Sequence, residues 1–268
     1  SREKLEADLS AKRQKYRQLQ PKQPAASRTK QYARVILAKA LDHAVVDNLI
    51  PRNVARFVAA PTGASTKEMV ILDETAVNKL LSHINAERYG RIYGLSVLTG
   101  MREGEYLALQ WQDIDLTSTP PVLRVRRTQS TVQRQLVLET PKTKSGLRTI
   151  PLTQDAVNIL QDQKRQMLKE GHIGKKFVFV DEAGEMLTRS GAVRSCLKRL
   201  IRAADLPSLS PHDLRHTHAT LLLRAGVNPK VAAERLGHSD VRILLQTYSH
   251  VLPDTQADVI TKLNRLLG

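Results

Sequence analysis

Four short segments of the chain carry side chains that could act together on a phosphate group. The first places Arg102 soon after a glycine and Glu105 three residues later, so that the carboxylate can orient the guanidinium. The second places Lys144 beside a Ser-Gly pair, which predicts a hairpin tip from which the ammonium could donate a proton to a site on another element. Either motif alone has an ordinary explanation, since surface ion pairs and solubilising lysines are common.

The third segment, SPHDLRHTH, is a stronger signal for an anion site. Ser210, with a proline directly after it and Asp213 three residues on, predicts a helix that begins with a capping box. His212 and Arg215 then share one face of the first turn, where free backbone amides and the helix dipole favour an anion. We therefore predict that a phosphate binds there.

A zinc site is the alternative for the same segment. His212 and His216 have the His-x-x-x-His spacing of helical zinc sites. Arg215 makes zinc binding unfavourable, because a guanidinium one turn from His212 would repel a dication. Asp213, at the position of the metalloprotease glutamate base, also has a shorter side chain than glutamate. Histidines that only pack or cap are a second alternative. The sequence predicts no metal site.

The fourth segment predicts two consecutive helices. Asn228 precedes the first helix, Gly237 ends it, and Tyr248 falls near the end of the second. Taken alone, this is a helix-turn-helix with a packing tyrosine. A DNA-binding regulator without covalent chemistry is therefore an alternative function.

The elements that must position these side chains are mainly helical. Apolar spacing predicts helices at 27–48, from Asp73 as cap to about Leu109, and from Ser190 onward. Short β-rich runs lie at 122–125, 132–138, 148–152 and 177–180. The first three predict one small antiparallel sheet. The expected fold class is mainly α with a small antiparallel β-sheet, an α+β protein.

The chain carries a large positive charge. Its 42 Lys and Arg residues against 26 Asp and Glu residues give a net charge of +16, of which +8 falls in the first 62 residues. Such a charge attracts a polyanion. Arg28, Lys30 and Arg34 lie in the first turns of a predicted helix, where the dipole would prefer acids, so we expect them to contact an external anion. A solvated face and an anionic membrane are the alternatives.

Other features of composition restrict the class of protein. A single cysteine, Cys196, excludes an internal disulfide framework and a multi-cysteine metal cage, and suits a reducing compartment. No apolar run is long enough to span a membrane, and no signal peptide is evident. We expect a cytoplasmic protein, and the first residue, Ser1, predicts a fragment or a processed chain.

Taken together, TGMREGE, TKSGLRTIPL, SPHDLRHTHAT and LGHSDVRILLQTYSHV resemble the tyrosine recombinases, in particular the integrases of phages and conjugative transposons. The resemblance covers about residues 27–253 and implies a two-domain architecture. A helical core-binding domain at 1–59, shorter than the family pattern by its first helices, is followed by a linker at 60–69. A mixed catalytic domain at 70–268 follows and includes a C-terminal helix at 255–268.

The resemblance implies site-specific DNA recombination through a 3′-phosphotyrosine, with no metal, cofactor or ATP. The six expected catalytic residues are present at Arg102, Lys144, His212, Arg215, His238 and Tyr248. Tyr248 would attack, the two arginines would hold the non-bridging oxygens, and Lys144 would protonate the leaving 5′-oxygen. His212 would assist deprotonation of Tyr248, and His238 would donate a hydrogen bond to the phosphate. Glu105 would orient Arg102.

The resemblance also implies partners. Double-stranded attachment-site DNA is the expected substrate, contacted in part by Arg28, Lys30 and Arg34. The tail has an apolar stripe, which in the family commonly inserts into a neighbouring protomer, so we expect a homo-tetramer on DNA formed through 255–268; the stripe comprises Val259, Ile260, Leu263, Leu266 and Leu267. An accessory excision protein or a host DNA-bending protein, in a prokaryotic cytoplasm, is a further expected partner.

Overall fold

The computed structural model of the chain describes residues 27–59, 69–132, 135–141, 143–189 and 191–248, together with the single residues Glu6 and Asn264. The chain divides into two compact units, Ser1–Glu68 and Met69–Gly268. The described part is mainly helical with small antiparallel sheets, which confirms the predicted fold class.

The first unit consists of helix α1 (Ser27–Val46) and a 3₁₀ helix (Val54–Phe57) that packs back on it. Asn53 makes the connection between them. Its Oδ1 accepts from the backbone N–H of Ala55 at 3.0 Å, and its Nδ2 donates to the carbonyl of Ala38 and to the Asp42 carboxylate, each at 2.7 Å. One nearly buried amide therefore fixes the angle between the two helices.

Helices make up most of the second unit. They are α2 (Glu74–His83), α3 (Gly90–Thr99), α4 (Glu103–Leu107), α5 (Gln154–Lys169), α6 (Gly191–Ala203), α7 (Pro211–Arg224), α8 (Pro229–Leu236) and α9 (Val241–Tyr248). Asp73, Thr153 and Asn228 cap α2, α5 and α8 with side-chain oxygens that accept backbone N–H bonds. The single helical stretch predicted from 73 to 109 is wrong, because a 3₁₀ turn (Ile84–Ala86) and Gly100 divide it into three helices.

The strands form two sheets, where the sequence predicted one. Strands β1 (Ile114–Asp115), β2 (Val122–Val125) and β5 (Arg148–Pro151) pair antiparallel in the order β1-β2-β5. Strands β3 (Thr128–Val132) and β4 (Gln135–Glu139) form a separate hairpin. The predicted run 132–138 therefore includes the last residue of β3 and most of β4, so it is not a single strand. Residues 177–180 contribute only isolated bridges at Phe177 and Val180.

Helix α3 lies at the centre of the second unit. Most of its residues are buried, including Ile92, Tyr93, Leu95 and Val97, and it packs against α5 and α7. A helix that is apolar on every side must be covered on every side. Its last turn consequently ends inside the protein, next to α4 and α7. Of the helices in the described ranges, none is long and apolar enough to cross a bilayer.

Candidate active site

Arg102 and Glu105 form the first part of the site. Arg102 precedes α4 and donates from its backbone and its guanidinium to the Glu105 carboxylate, both at 2.8 Å. Its other terminal nitrogen donates to the carbonyl of Gly237 at 3.0 Å, and 42% of the side chain stays exposed. Arg102 is therefore held at one edge by a buried carboxylate, while the opposite edge can reach a ligand.

Glu105 also binds a residue that sequence reasoning missed, Arg148 on β5. The Arg148 guanidinium donates twice to Glu105, at 2.8 and 3.1 Å, and to the carbonyl of Arg235 at 2.7 Å. Burial alone would raise the pKa of Glu105, but the hydrogen bonds and charge of Arg148, with those of Arg102, lower it below its ordinary value. One carboxylate thus orients two arginines.

This arrangement predicts a large effect on stability. We expect Glu105→Gln to lower the free energy of unfolding by about 3–5 kcal/mol, because removing one partner of a buried ion pair leaves the other charge uncompensated. Urea denaturation at pH 7 measures this change in the free energy of unfolding. The exposed Glu182→Gln is the control, with an expected change within about 0.5 kcal/mol. Equal stability of Glu105→Gln and wild type at pH 7 would contradict the assignment.

The pH dependence of this effect follows from the lowered pKa of Glu105. A carboxyl whose folded pKa lies below its unfolded value stabilises the protein above the unfolded pKa, and this contribution disappears as the pH falls through the folded pKa. The difference in the free energy of unfolding between wild type and Glu105→Gln should therefore become smaller as the pH falls below 4.5, the ordinary pKa of this carboxyl group.

Arg215 is the most buried cation of the predicted set. Only 4% of it is exposed, and its terminal nitrogens donate to the carbonyls of Gly100 and Leu236, each at 2.7 Å. It forms no ion pair with a carboxylate of the described residues. Burial, followed by repulsion from Arg102, lowers the pKa of Arg215 to about 9. A buried guanidinium without a direct ion pair favours a nearby anion.

Two glycine-terminated helices supply those carbonyls. Gly100 ends α3 with φ +66°, and Gly237 ends α8 with φ +71°. Glycine is required by space as well as by backbone conformation, because a Cβ at Gly100 would lie 2.7 Å from the His218 ring and one at Gly237 would lie 2.9 Å from the Arg148 guanidinium. The negative ends of both helix dipoles thus point at the arginines.

His212 and His238 face the same region. His212 lies in the first turn of α7, whose predicted capping box is confirmed: the Asp213 carboxylate accepts from the backbone and the hydroxyl of Ser210, both at 2.7 Å. Burial, Arg215 and Arg102 lower the pKa of His238 to about 4, and its buried Nδ1 has no hydrogen-bond partner among the described residues. This ring nitrogen of His238 is therefore an unpaired buried polar atom close to the two arginines.

Tyr248, at the end of α9, is only 2% exposed and packs in a small apolar cluster with α7 and α8. Its hydroxyl makes a hydrogen bond with Nδ1 of His216. In the sequence, His216 is a candidate zinc ligand or a packing or capping histidine, and its contact with Tyr248 is not predicted. Its spacing of four from His212, which puts both on one face of α7, was the available signal.

Lys144 stands apart from this group. It is exposed at the start of a 3₁₀ turn (Lys144–Gly146), and its ammonium makes no hydrogen bond or ion pair with the described residues. The predicted hairpin tip is wrong, because the flanking strands β4 and β5 belong to different sheets. The turn nevertheless lies against the site, since the Gly146 carbonyl accepts from Arg148 at 3.3 Å.

The remaining predicted residues lie elsewhere in the chain. Lys30 is exposed on α1, and Arg34 of that helix donates to the carbonyl of Val58 at 3.0 Å. The side chain of Arg28 and the predicted helix at 255–268 fall outside the described residues, as does the predicted linker up to residue 68. Within the described ranges, no three His, Cys, Asp or Glu side chains come together as a metal-binding group.

Comparison with known proteins identifies relatives of this chain. The chain is 30% identical over 217 residues to a protein described as tyrosine recombinase XerC-like from Caldanaerobacter subterraneus subsp. tengcongensis, covering 74% of the chain and 55% of that protein. It is 28% identical to the ICEBs1 integrase of Bacillus subtilis, covering 86% of the chain and 64% of the integrase. The chain thus spans somewhat more than half the length of these relatives.

Solved structures share the fold. The Tn1549 transposon integrase in complex with a circular intermediate DNA superposes with a TM-score of 0.73 at 22% identity, over 90% of this chain and 80% of that one. A lambda integrase dimer bound to a core site gives a TM-score of 0.55 at 20% identity. The superposition covers 81% of this chain and 74% of the lambda integrase chain. The phage integrase family model matches residues 71–254, which is more than half of the chain. The chain therefore belongs to the phage integrase family, whose members are tyrosine recombinases.

Proposed function

We propose that this chain is a site-specific DNA recombinase that integrates and excises a mobile element by cutting and rejoining duplex DNA. The observation that carries the proposal is the buried Arg215, which has no carboxylate partner among the described residues and lies beside Arg102 and His238. A phosphodiester would supply the missing negative charge. The names of the relatives, an integrase and a recombinase among them, support the same reading.

The proposed reaction exchanges one phosphate ester for another. The Tyr248 hydroxyl oxygen bonds to phosphorus while the bond from phosphorus to the 5′-oxygen breaks, which leaves a 3′-phosphotyrosine and a free 5′-hydroxyl. His212 assists removal of the tyrosine proton, and Lys144 gives a proton to the departing oxygen. The energy of the ester is retained, so the reverse attack by a 5′-hydroxyl reseals the strand without ATP.

The phosphate is held by the arginines and His238 in this proposal. Arg102 and Arg215 present planar forks, charged at neutral pH, to the non-bridging oxygens, where negative charge increases in the transition state. His238 uses its free ring nitrogen on the same group. Glu105 keeps Arg102 in place, and Arg148 keeps Glu105 in place.

A trapped covalent complex tests the function. Duplexes from the DNA on both sides of the gene, carrying a nick or a bridging 5′-phosphorothiolate, cannot be resealed after cleavage. We expect a protein–DNA band that resists SDS and disappears on protease treatment. Sequence-specific binding without such a band on any of these duplexes would instead favour the regulator.

We further propose that residues 1–59 bind DNA as a core-binding domain joined by a linker at 60–69 to the catalytic domain at 70–268.

The salt dependence of DNA binding tests this proposal. Each phosphate contact contributes about 0.9 to the slope of log affinity against log salt concentration. Neutralising Lys30 and Arg34 together to Gln should lower this slope by up to about 1.8. Lys39→Gln, which changes an exposed lysine of α1 outside the predicted set, is the control. An unchanged slope in the double variant would mean that this end of α1 does not contact the backbone.

We also propose an oligomeric state and a cellular compartment for this chain. The apolar spacing in the sequence of 255–268 supports a homo-tetramer on two DNA sites, because a helix formed there would have to bury its apolar stripe, and we propose that it does so against a neighbouring protomer. Such an assembly would act in a prokaryotic cytoplasm. An accessory excision protein or a host DNA-bending protein would set the direction of the reaction.

A further inference from the structure

The hydrogen bond between His216 and Tyr248 links α7 to α9 in the DNA-free protein. His216 Nδ1 contacts the Tyr248 hydroxyl, and the two ring centroids lie 5.7 Å apart at an angle of 54°. On its other side the imidazole packs edge-on against His212, with centroids 4.4 Å apart at 81°. His216 is therefore fixed between the nucleophile and another residue of the proposed site.

The protonation states of the pair decide which atom donates. Burial and the neighbouring His212 lower the pKa of His216 to about 4, and Arg215 lowers it further while Asp213 opposes this. Burial raises the pKa of Tyr248 above its ordinary value, although Arg215 opposes the change. At neutral pH the phenol is thus the donor and the neutral imidazole accepts at Nδ1, which places the ring hydrogen on Nε2.

We propose that His216 is a positioning residue for the nucleophile: it binds the Tyr248 hydroxyl and fixes the direction in which α9 presents it to the arginine-held phosphate. The proposal rests on the proposed function. Tyr248 has one polar atom in an apolar cluster, and without an acceptor its hydroxyl would carry the cost of an unpaired buried group. The acceptor lies on the same helix as Arg215, so a single rigid element fixes both the tyrosine oxygen and the phosphate ligand.

Two substitutions separate the hydrogen bond from the packing. His216→Asn keeps an acceptor oxygen close to the position of Nδ1, whereas His216→Leu fills the space without one. In single-turnover cleavage of the phosphorothiolated duplex, we expect His216→Leu to be about 100-fold slower, because small misplacements of reacting atoms have effects of that size. His216→Asn should restore most of the rate, and DNA affinity should be equal for all three proteins. His172→Leu is the control.

A second measurement tests the contact without the reaction. Nitrogen NMR of ¹⁵N-histidine-labelled, DNA-free protein should show His216 neutral from pH 8 to 5, with hydrogen on Nε2 and a hydrogen-bonded Nδ1. The Nδ1 signal should shift in Tyr248→Phe. An unshifted signal, or a His216→Leu variant that cleaves as fast as wild type, would overturn the proposal. A shifted signal without any wild-type adduct would instead overturn the proposed function, and with it the role of His216 in cleavage.

Discussion

Tyr248→Phe is expected to reduce covalent adduct formation by about 10⁴-fold or more, to the limit of detection. The substitution removes one oxygen and leaves the ring in its apolar cluster with Leu236 and Leu244. Folding and DNA binding should therefore survive, with a loss of about 1 kcal/mol or less for the hydrogen bond to His216. The measurement is the yield of SDS-resistant complex on a phosphorothiolated duplex, together with binding of the unmodified duplex.

Tyr106→Phe is the matched control for that experiment. Tyr106 is fully buried, and its hydroxyl has no hydrogen-bond partner among the described residues. Removing the Tyr106 hydroxyl should leave adduct formation unchanged. Adduct that persists in Tyr248→Phe would move the nucleophile to another residue. Ser249, the next residue along the chain, would then be the first to replace.

Arg215→Lys is expected to slow strand cleavage by about 10²–10³-fold with little change in DNA affinity. Lysine keeps the charge but loses the planar fork, which bonds to two main-chain carbonyls and which we propose also binds the phosphate. Rapid-quench cleavage under saturating protein gives the rate, and a gel shift gives the affinity. Arg165→Lys, at an exposed arginine of α5, is the control. A cleavage rate equal to wild type would remove Arg215 from the phosphate site.

Local rules predicted several helix ends of the second unit, although α5 was not predicted and the stretch from 73 to 109 proved to be three helices. Asp73, Ser210, Asn228 and Gly237 mark helix ends in the sequence, and the structure begins or ends helices beside each of them. The strands were predicted less well. β3 contains one apolar residue, and β4 contains three in succession, so neither strand shows a clear alternation. Pairing partners are not visible in a local pattern.

In the candidate site, too, the sequence predicts what depends on local spacing and does not predict contacts between distant segments. The residues of the SPHDLRHTH segment could be placed on one helix face from their spacing alone. Arg148 could not be assigned to Glu105, because 43 residues separate them and the contact depends on how β5 meets α4. His216 was visible in the motif, but its partner lies on another helix.

The carbonyls that hold Arg102 and Arg215 have a consequence for engineering and for evolution. They belong to the main chain at Gly100, Leu236 and Gly237, so no side chain at those positions specifies the hydrogen bonds. Leu236 could be exchanged for another apolar residue without losing its bond, whereas neither glycine could be exchanged without moving the backbone. A transplant of this chemistry into another scaffold would therefore have to carry the two helix ends with their glycines, and the catalytic side chains alone would not be enough.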